Sequence, residues 1–206
     1  MKIITRANAI INLRKYIGQN LRELALKYKI TTFETGKQNK GWKGLVLEKL
    51  AGLDTNISKA PNGLNFELKS VSFYLKKDEL IPKETMAITM INPKELAKYD
   101  FYSSHCWAKL KSIVFCAVLW NGENAQDAEL LKVISFDFIQ DGKLINEIKA
   151  DYDFIRNKLI LKGFASLTGK DGNWIQARTK GSGHGSNTRA FYARKSLIKK
   201  IFENAK

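Results

Sequence analysis

The sequence predicts an α/β fold, and three observations carry that prediction. Two apolar stripes recur at spacings of three and four: Ile10, Leu13, Ile17, Leu21, Leu24 and Tyr28 near the start, and Ile145, Ile148, Tyr152, Ile155 and Leu159 later. Between them, residues 113–120 form a nearly continuous apolar run, as expected of a buried strand. The chain has 206 residues, 44% hydrophobic and 11% aromatic, enough for one core or for two small lobes sharing a cleft.

Gly18 interrupts the first stripe, and Asn20 followed by Glu23 reads as a capping box, so two short helices joined at 18–20 are expected. A polar turn at 35–40 follows. Gly41-Trp42-Lys43-Gly44 then opens a helix with Leu45, Val46, Leu50 and Leu53 on its apolar side and Glu48 within it. A strand at 65–73 ends in a charged turn at 76–79, and a second strand at 85–91 is stopped by Asn92-Pro93. Residues 104–111 read as a short helix carrying His105, Lys109 and Lys111. Residues 130–138 are the expected hairpin partner of 113–120, and the second stripe gives a long helix. The basic stretch 172–206 ends in a closing helix.

Composition narrows function. Lys and Arg number 35 against 20 Asp and Glu, a formal charge of +15. That excess favours a polyanionic partner, nucleic acid first, because neutralising phosphates releases condensed counterions. No apolar run approaches the length of a membrane span, and the N-terminus has no signal-peptide core. Cys106 and Cys116 have no metal-binding spacing, so reduced thiols and a cytoplasmic setting are expected. His105 and His184 are too far apart for a zinc site; His105 is read as structural and His184 as a bystander. Lys43 and Lys59 are read as solvated surface charges, and Phe191 and Tyr192 as core.

The chemistry centres on Glu67-Leu68-Lys69. On a strand, Glu67 and Lys69 share one face while Phe66 and Leu68 anchor the other. An acid and an amine side by side suit a hydrolytic site at a phosphodiester, where carboxylates hold a hard divalent ion and the amine steers water or compensates charge. Pro61-Asn62, a short gap and Glu67-x-Lys69 follow the PD-(D/E)xK nuclease signature, except that Asn62 stands where aspartate belongs. Asparagine is neutral and offers a metal one carbonyl oxygen, so metal binding should weaken. Either a single Asp-to-Asn change has inactivated an active enzyme, the preferred reading, or Asp54 or another acid substitutes.

Further blocks extend the pattern. They are Gly18, Leu21 and Glu23-Leu24-Ala25; residues 40–48 around Gly41-Trp42; Ser58-Lys59; Glu84-Thr85; and Ser104-His105 with Lys109-Leu110-Lys111. Near the end stand Gln176-Ala177-Arg178-Thr179-Lys180-Gly181, and Arg189-Ala190-Phe191-Tyr192 with Lys195. In this order they resemble the MutH family of mismatch-repair endonucleases and the related GATC-cutting type II restriction enzymes. The gap between Asn62 and Glu67 is shorter than the family usually shows.

The resemblance implies a restriction-endonuclease-like fold in one catalytic domain, 1–206: a mixed central sheet flanked by helices, with two lobes forming a DNA cleft. It implies Asn62 and Glu67 as metal ligands, helped by the Leu68 carbonyl, for Mg2+ with Mn2+ as a substitute. Lys69 would position water, and Glu48 would support the metal site. Lys109 or Lys111 would reach a phosphate. Arg178, Lys180 and Arg189 would approach base edges or phosphates. Independently of the resemblance, the glycines of 181–187 and the basic residues on either side read as a DNA-contacting loop, with a plain surface loop as the alternative. The expected partner is double-stranded DNA, without a membrane; a homodimer on DNA and a monomeric nickase both stay open. The expected activity is site-specific cleavage at GATC, with a restriction enzyme preferred to a mismatch-repair nickase. A silent DNA-binding copy of the fold is the alternative.

Overall fold

The computed structural model of the protein describes residues 4–34, 37–39, 41–53, 63–120, 128–180 and 188–203. The chain folds as two compact units. One runs up to Glu84 and takes in Ile113–Phe136; the other comprises Thr85–Ser112 and Asp137–Glu203.

The first unit begins with α1 (Arg6–Arg14) and α2 (Leu21–Lys27), joined through the predicted break. Gly18 has a φ of 81°, a left-handed conformation that glycine adopts without a Cβ penalty, and its N–H donates to the Leu130 carbonyl at 2.8 Å. Asn20 caps α2, but its side chain accepts from the Arg22 N–H rather than from that of Glu23. A two-stranded antiparallel ribbon, β1 (Phe33–Glu34) and β2 (Lys37–Gln38), precedes α3 (Trp42–Ala51). Gly52, at φ 84°, ends α3, and the Leu53 N–H closes back onto the Glu48 carbonyl at 2.9 Å.

Four strands form the sheet of this unit in the order β4-β3-β6-β7: β3 (Glu67–Lys76), β4 (Glu79–Pro82), β6 (Ser112–Leu119) and β7 (Leu130–Asp137). β3 runs antiparallel to β4 and parallel to β6, with Glu67 opposite Ile113 and Lys69 opposite Phe115, so the sheet is mixed. This is the α/β, restriction-endonuclease-like arrangement expected from the sequence. β4 was not expected; the charged turn is the tight link of a hairpin, with Lys77 and Asp78 at φ 48° and 63°. One side of the sheet carries Phe66, Leu68, Val114, Cys116 and Val118 into a common core with Leu13, Leu21, Trp42, Val46 and Leu47. Truncating such a buried leucine to alanine removes about 2–5 kcal/mol.

The second unit is built on an antiparallel sheet in the order β5-β9-β8: β5 (Met86–Met90), β8 (Ile175–Thr179) and β9 (Arg189–Ala193). Asn92-Pro93 does end β5, and it also starts a helix the sequence reading missed, α4 (Pro93–Lys98). The Asn92 side chain accepts from the Lys94 and Glu95 N–H groups, and Pro93 fills the first helical position, where no donor is needed. Then come α5 (His105–Leu110), capped by Ser104, the long α6 (Gly142–Lys162) and α7 (Lys195–Glu203).

All five residues of the second stripe are buried on α6. The Tyr152 ring stacks on Phe191, and its hydroxyl donates to the Tyr99 carbonyl at 3.1 Å. Asp151, buried on α6, accepts the N–H groups of Asn173, Trp174 and Ile175 at 2.8, 2.6 and 3.0 Å, which fixes the start of β8. Cys106 and Cys116 are both buried free thiols. Among the described residues no helix is long and apolar enough to cross a membrane.

Candidate active site

The Glu-x-Lys triplet opens β3. Glu67 is its first residue and Lys69 follows two positions on, so strand alternation sets both on one face. The Lys69 ammonium lies 2.9 Å from the Glu67 Oε1, with the carboxylate 3% exposed and the ammonium side chain 15% exposed. A carboxylate that deep needs a charge or strong donors beside it, and Lys69 supplies one. Leu68, buried on the opposite face among the α1–α3 core residues, fixes the strand in register.

The approach to this triplet is a narrow turn. The Gly63 N–H donates to the Phe66 carbonyl at 3.1 Å, and Asn65 takes a φ of 61°, a region asparagine tolerates. Phe66 is buried beneath the turn. Asn62 and Pro61 lie outside the described residues, as do Asp54, Ser58, Lys59 and the 181–187 loop with His184. Glu48 is half-buried in α3, the helix packed against β3.

Glu48, Glu67, Leu68 and Lys69 belong to the first unit; Lys109, Lys111, Arg178, Lys180 and Arg189 belong to the second. Lys109 is half-buried in the last turn of α5, and Lys111 is that helix's C-cap. Arg178 and Lys180 are exposed at the end of β8. Arg178 donates to the Thr85 Oγ1 at 3.1 Å and lies 5.3 Å from the centre of the Tyr192 ring. Arg189 is half-buried, and its Nε donates to the Leu167 carbonyl at 3.0 Å, so part of its guanidinium holds the fold. Tyr192, read as core, is half-buried beside Arg178, whereas Phe191 is core as expected.

One sequence reading is corrected. Lys43 is not a solvated surface charge: it is half-buried and donates to the Ser72 Oγ on β3 at 3.0 Å. His105 opens α5 directly after its Ser104 cap; its side chain is 43% exposed and lies 3.7 Å from the Glu95 carboxylate. Polarity alone carries no signal for a lysine tucked between a helix and a strand.

The donor set suits a hard divalent ion. Glu67 and the peptide carbonyl beside it offer oxygens, and no histidine or thiol of the first unit stands with them in sequence. Among the described residues no group of three or more His, Cys, Asp or Glu side chains gathers; Asn62 and Asp54 lie outside those residues.

Residues 55–151 match the family model described as DNA mismatch repair enzyme MutH. That stretch, just under half of the chain, is similar to the MutH family. The MutH match spans β3 to β7 and much of α6, so it contains Asn62, Glu67, Leu68, Lys69, Lys109 and Lys111. Glu48, Arg178, Lys180 and Arg189 lie outside it. No curated protein matches the chain significantly. The match supports a MutH-like DNA endonuclease at family level.

Proposed function

We propose that this chain is a Mg2+-dependent, site-specific endonuclease of double-stranded DNA, a type II restriction enzyme directed at GATC and acting as one catalytic domain, 1–206. The observation that carries the reading is the buried Glu67 carboxylate paired at 2.9 Å with Lys69 at the head of β3. The charge of +15 supports a polyanionic substrate in a cytoplasmic setting.

In this reading Glu67, the Leu68 carbonyl and position 62 hold the ion, with Glu48 in support. A divalent ion there supplies charge neutralisation at the phosphate and an acidified water. Lys69 holds the attacking water and offsets charge as phosphorus passes through the in-line displacement, leaving a 5′-phosphate and a 3′-hydroxyl. Lys109 or Lys111 contacts a backbone phosphate, and Arg178, Lys180 and Arg189 supply base and phosphate contacts. Asn62 removes one anionic ligand, so this chain binds DNA and cuts slowly or not at all.

A second reading, a silent DNA-binding domain of the same fold, is favoured by Asn62 alone. Plasmid digestion with Mg2+, comparing this chain with its Asn62→Asp variant on methylated and unmethylated DNA, separates the two. Discrete fragments from the variant support the enzyme, and their ends give the recognition sequence. DNA retardation by both without cutting favours the silent domain. Nicked rather than linear product points to a monomeric nickase instead of a pair of copies.

A further inference from the structure

The first unit holds a cavity of about 220 Å3, lined by Gly41, Lys43 and Gly44 at the start of α3, by Ser70, Val71 and Ser72 on β3, by Val118 on β6 and by Glu84. It is not the cleavage centre. Glu67 and Ser72 are five positions apart on the strand, roughly 17 Å at about 3.3 Å per residue. Ser70 and Ser72 also alternate with Glu67 and Lys69, on the face that carries Leu68.

The lining is chosen for an oxyanion. Lys43 reaches across to the Ser72 hydroxyl at 3.0 Å, so an ammonium and a hydroxyl converge at one point. Ser70 adds a second hydroxyl. A β-carbon at Gly44 would meet no heavy atom within 4 Å, so the helix side leaves open space. Arg22, packed over the Trp42 ring at 5.4 Å, and Lys83 act electrostatically on Lys43 as well. Lys83 and Arg22 thus add positive charge to the surroundings of Lys43, against the carboxylate of Glu84. Burial, the largest influence, together with Lys83 and Arg22 lowers the Lys43 pKa, and Glu84 opposes them. A bound anion would relieve that crowding of positive charge.

We propose that this cavity is a binding site for a phosphate-type oxyanion, separate from the Glu67–Lys69 centre. Lys43 supplies the charge, and Ser70 and Ser72 supply hydroxyl donors. The phosphoryl group comes either from free phosphate or from the backbone of bound DNA. The inference does not depend on the nuclease reading.

The test is thermal unfolding of the whole chain in sodium phosphate against sodium chloride at equal ionic strength, with calorimetric titration of phosphate alongside. Phosphate at about a hundred times its Kd should raise the wild-type midpoint by roughly 5–10 °C. Lys43→Met and Gly44→Leu should each remove the rise, while Glu67→Gln keeps it. Gly44→Ala, which adds one methyl where there is room, serves as the folding control. Equal rises in wild type and Lys43→Met, or no rise in any variant, overturn the proposal. Should phosphate displace a short duplex from wild type but not from Lys43→Met, the source is the DNA backbone; phosphate binding with unchanged duplex affinity assigns it to the free ion.

Discussion

Gly63 lies against the ring of Phe66 so closely that a β-carbon there would stand within 3.0 Å of three ring atoms. Phe66 is buried and cannot retreat, and the next residue is Glu67. Gly63→Ala should therefore shift the head of β3, destabilise the first unit by about 1–3 kcal/mol through overpacking, and remove cleavage in an Asn62→Asp background. Denaturant unfolding together with plasmid digestion checks this; unaltered cutting would mean that the turn does not place the site.

The Glu67–Lys69 pair makes a sharper prediction. In the Asn62→Asp background, Glu67→Ala or Lys69→Ala should lower the cleavage rate by at least about a hundredfold, while duplex affinity changes little. Single-turnover cleavage and gel retardation read the two quantities separately. Full activity in either variant would remove this pair from the chemistry.

Arg178 and Arg189 should behave differently. Arg178 is exposed and tied only to neighbouring side chains in the contacts described above, so Arg178→Ala should weaken DNA binding and flatten its salt dependence by about one unit of log–log slope if it meets a phosphate. Arg189→Ala also deletes the bond from Nε to the Leu167 carbonyl and should lower the unfolding midpoint besides affecting binding. A melting curve unchanged for Arg189→Ala would contradict that double role.

Much of this was legible because local patterns and tertiary burial agree. The alternation that places Glu67 beside Lys69, the α6 stripe and the 113–120 strand all survive intact in three dimensions. What stayed hidden lacks periodicity. β4 is four residues ending in a proline, too short to declare itself, and α4 begins at an Asn-Pro that equally well ends a strand. Lys43 reads as solvent-facing until α3 and β3 are brought together, and the structural share of Arg189 depends on a carbonyl far away in sequence.

Asp141 gives a pH prediction. It caps α6, accepting from the Leu144 N–H at 3.0 Å, with Lys200 at 3.3 Å. The backbone hydrogen bond from Leu144 holds its carboxyl below the ordinary value; burial, the next largest influence, opposes it, and Lys200 and Lys143 add smaller lowering effects. A carboxyl depressed in the folded state stabilises above its unfolded pKa, and that contribution fades as pH falls through the folded value. Asp141→Ala should cost about 1 kcal/mol near neutral pH, a deficit constant down to about pH 5 that shrinks below about pH 4. Urea unfolding across that range tests it; a deficit that grows on acidification would reverse the sign.

The two buried thiols fall one to each unit, Cys116 on β6 and Cys106 on α5. Burial pushes the Cys116 thiol up to about 12, so an alkylating reagent finds almost no thiolate there while β6 is in place. Each half of the chain thus carries its own stopwatch. Timing the two alkylations in one tube, peptide by peptide, would tell whether the units open together or in turn, and which of them lets go first.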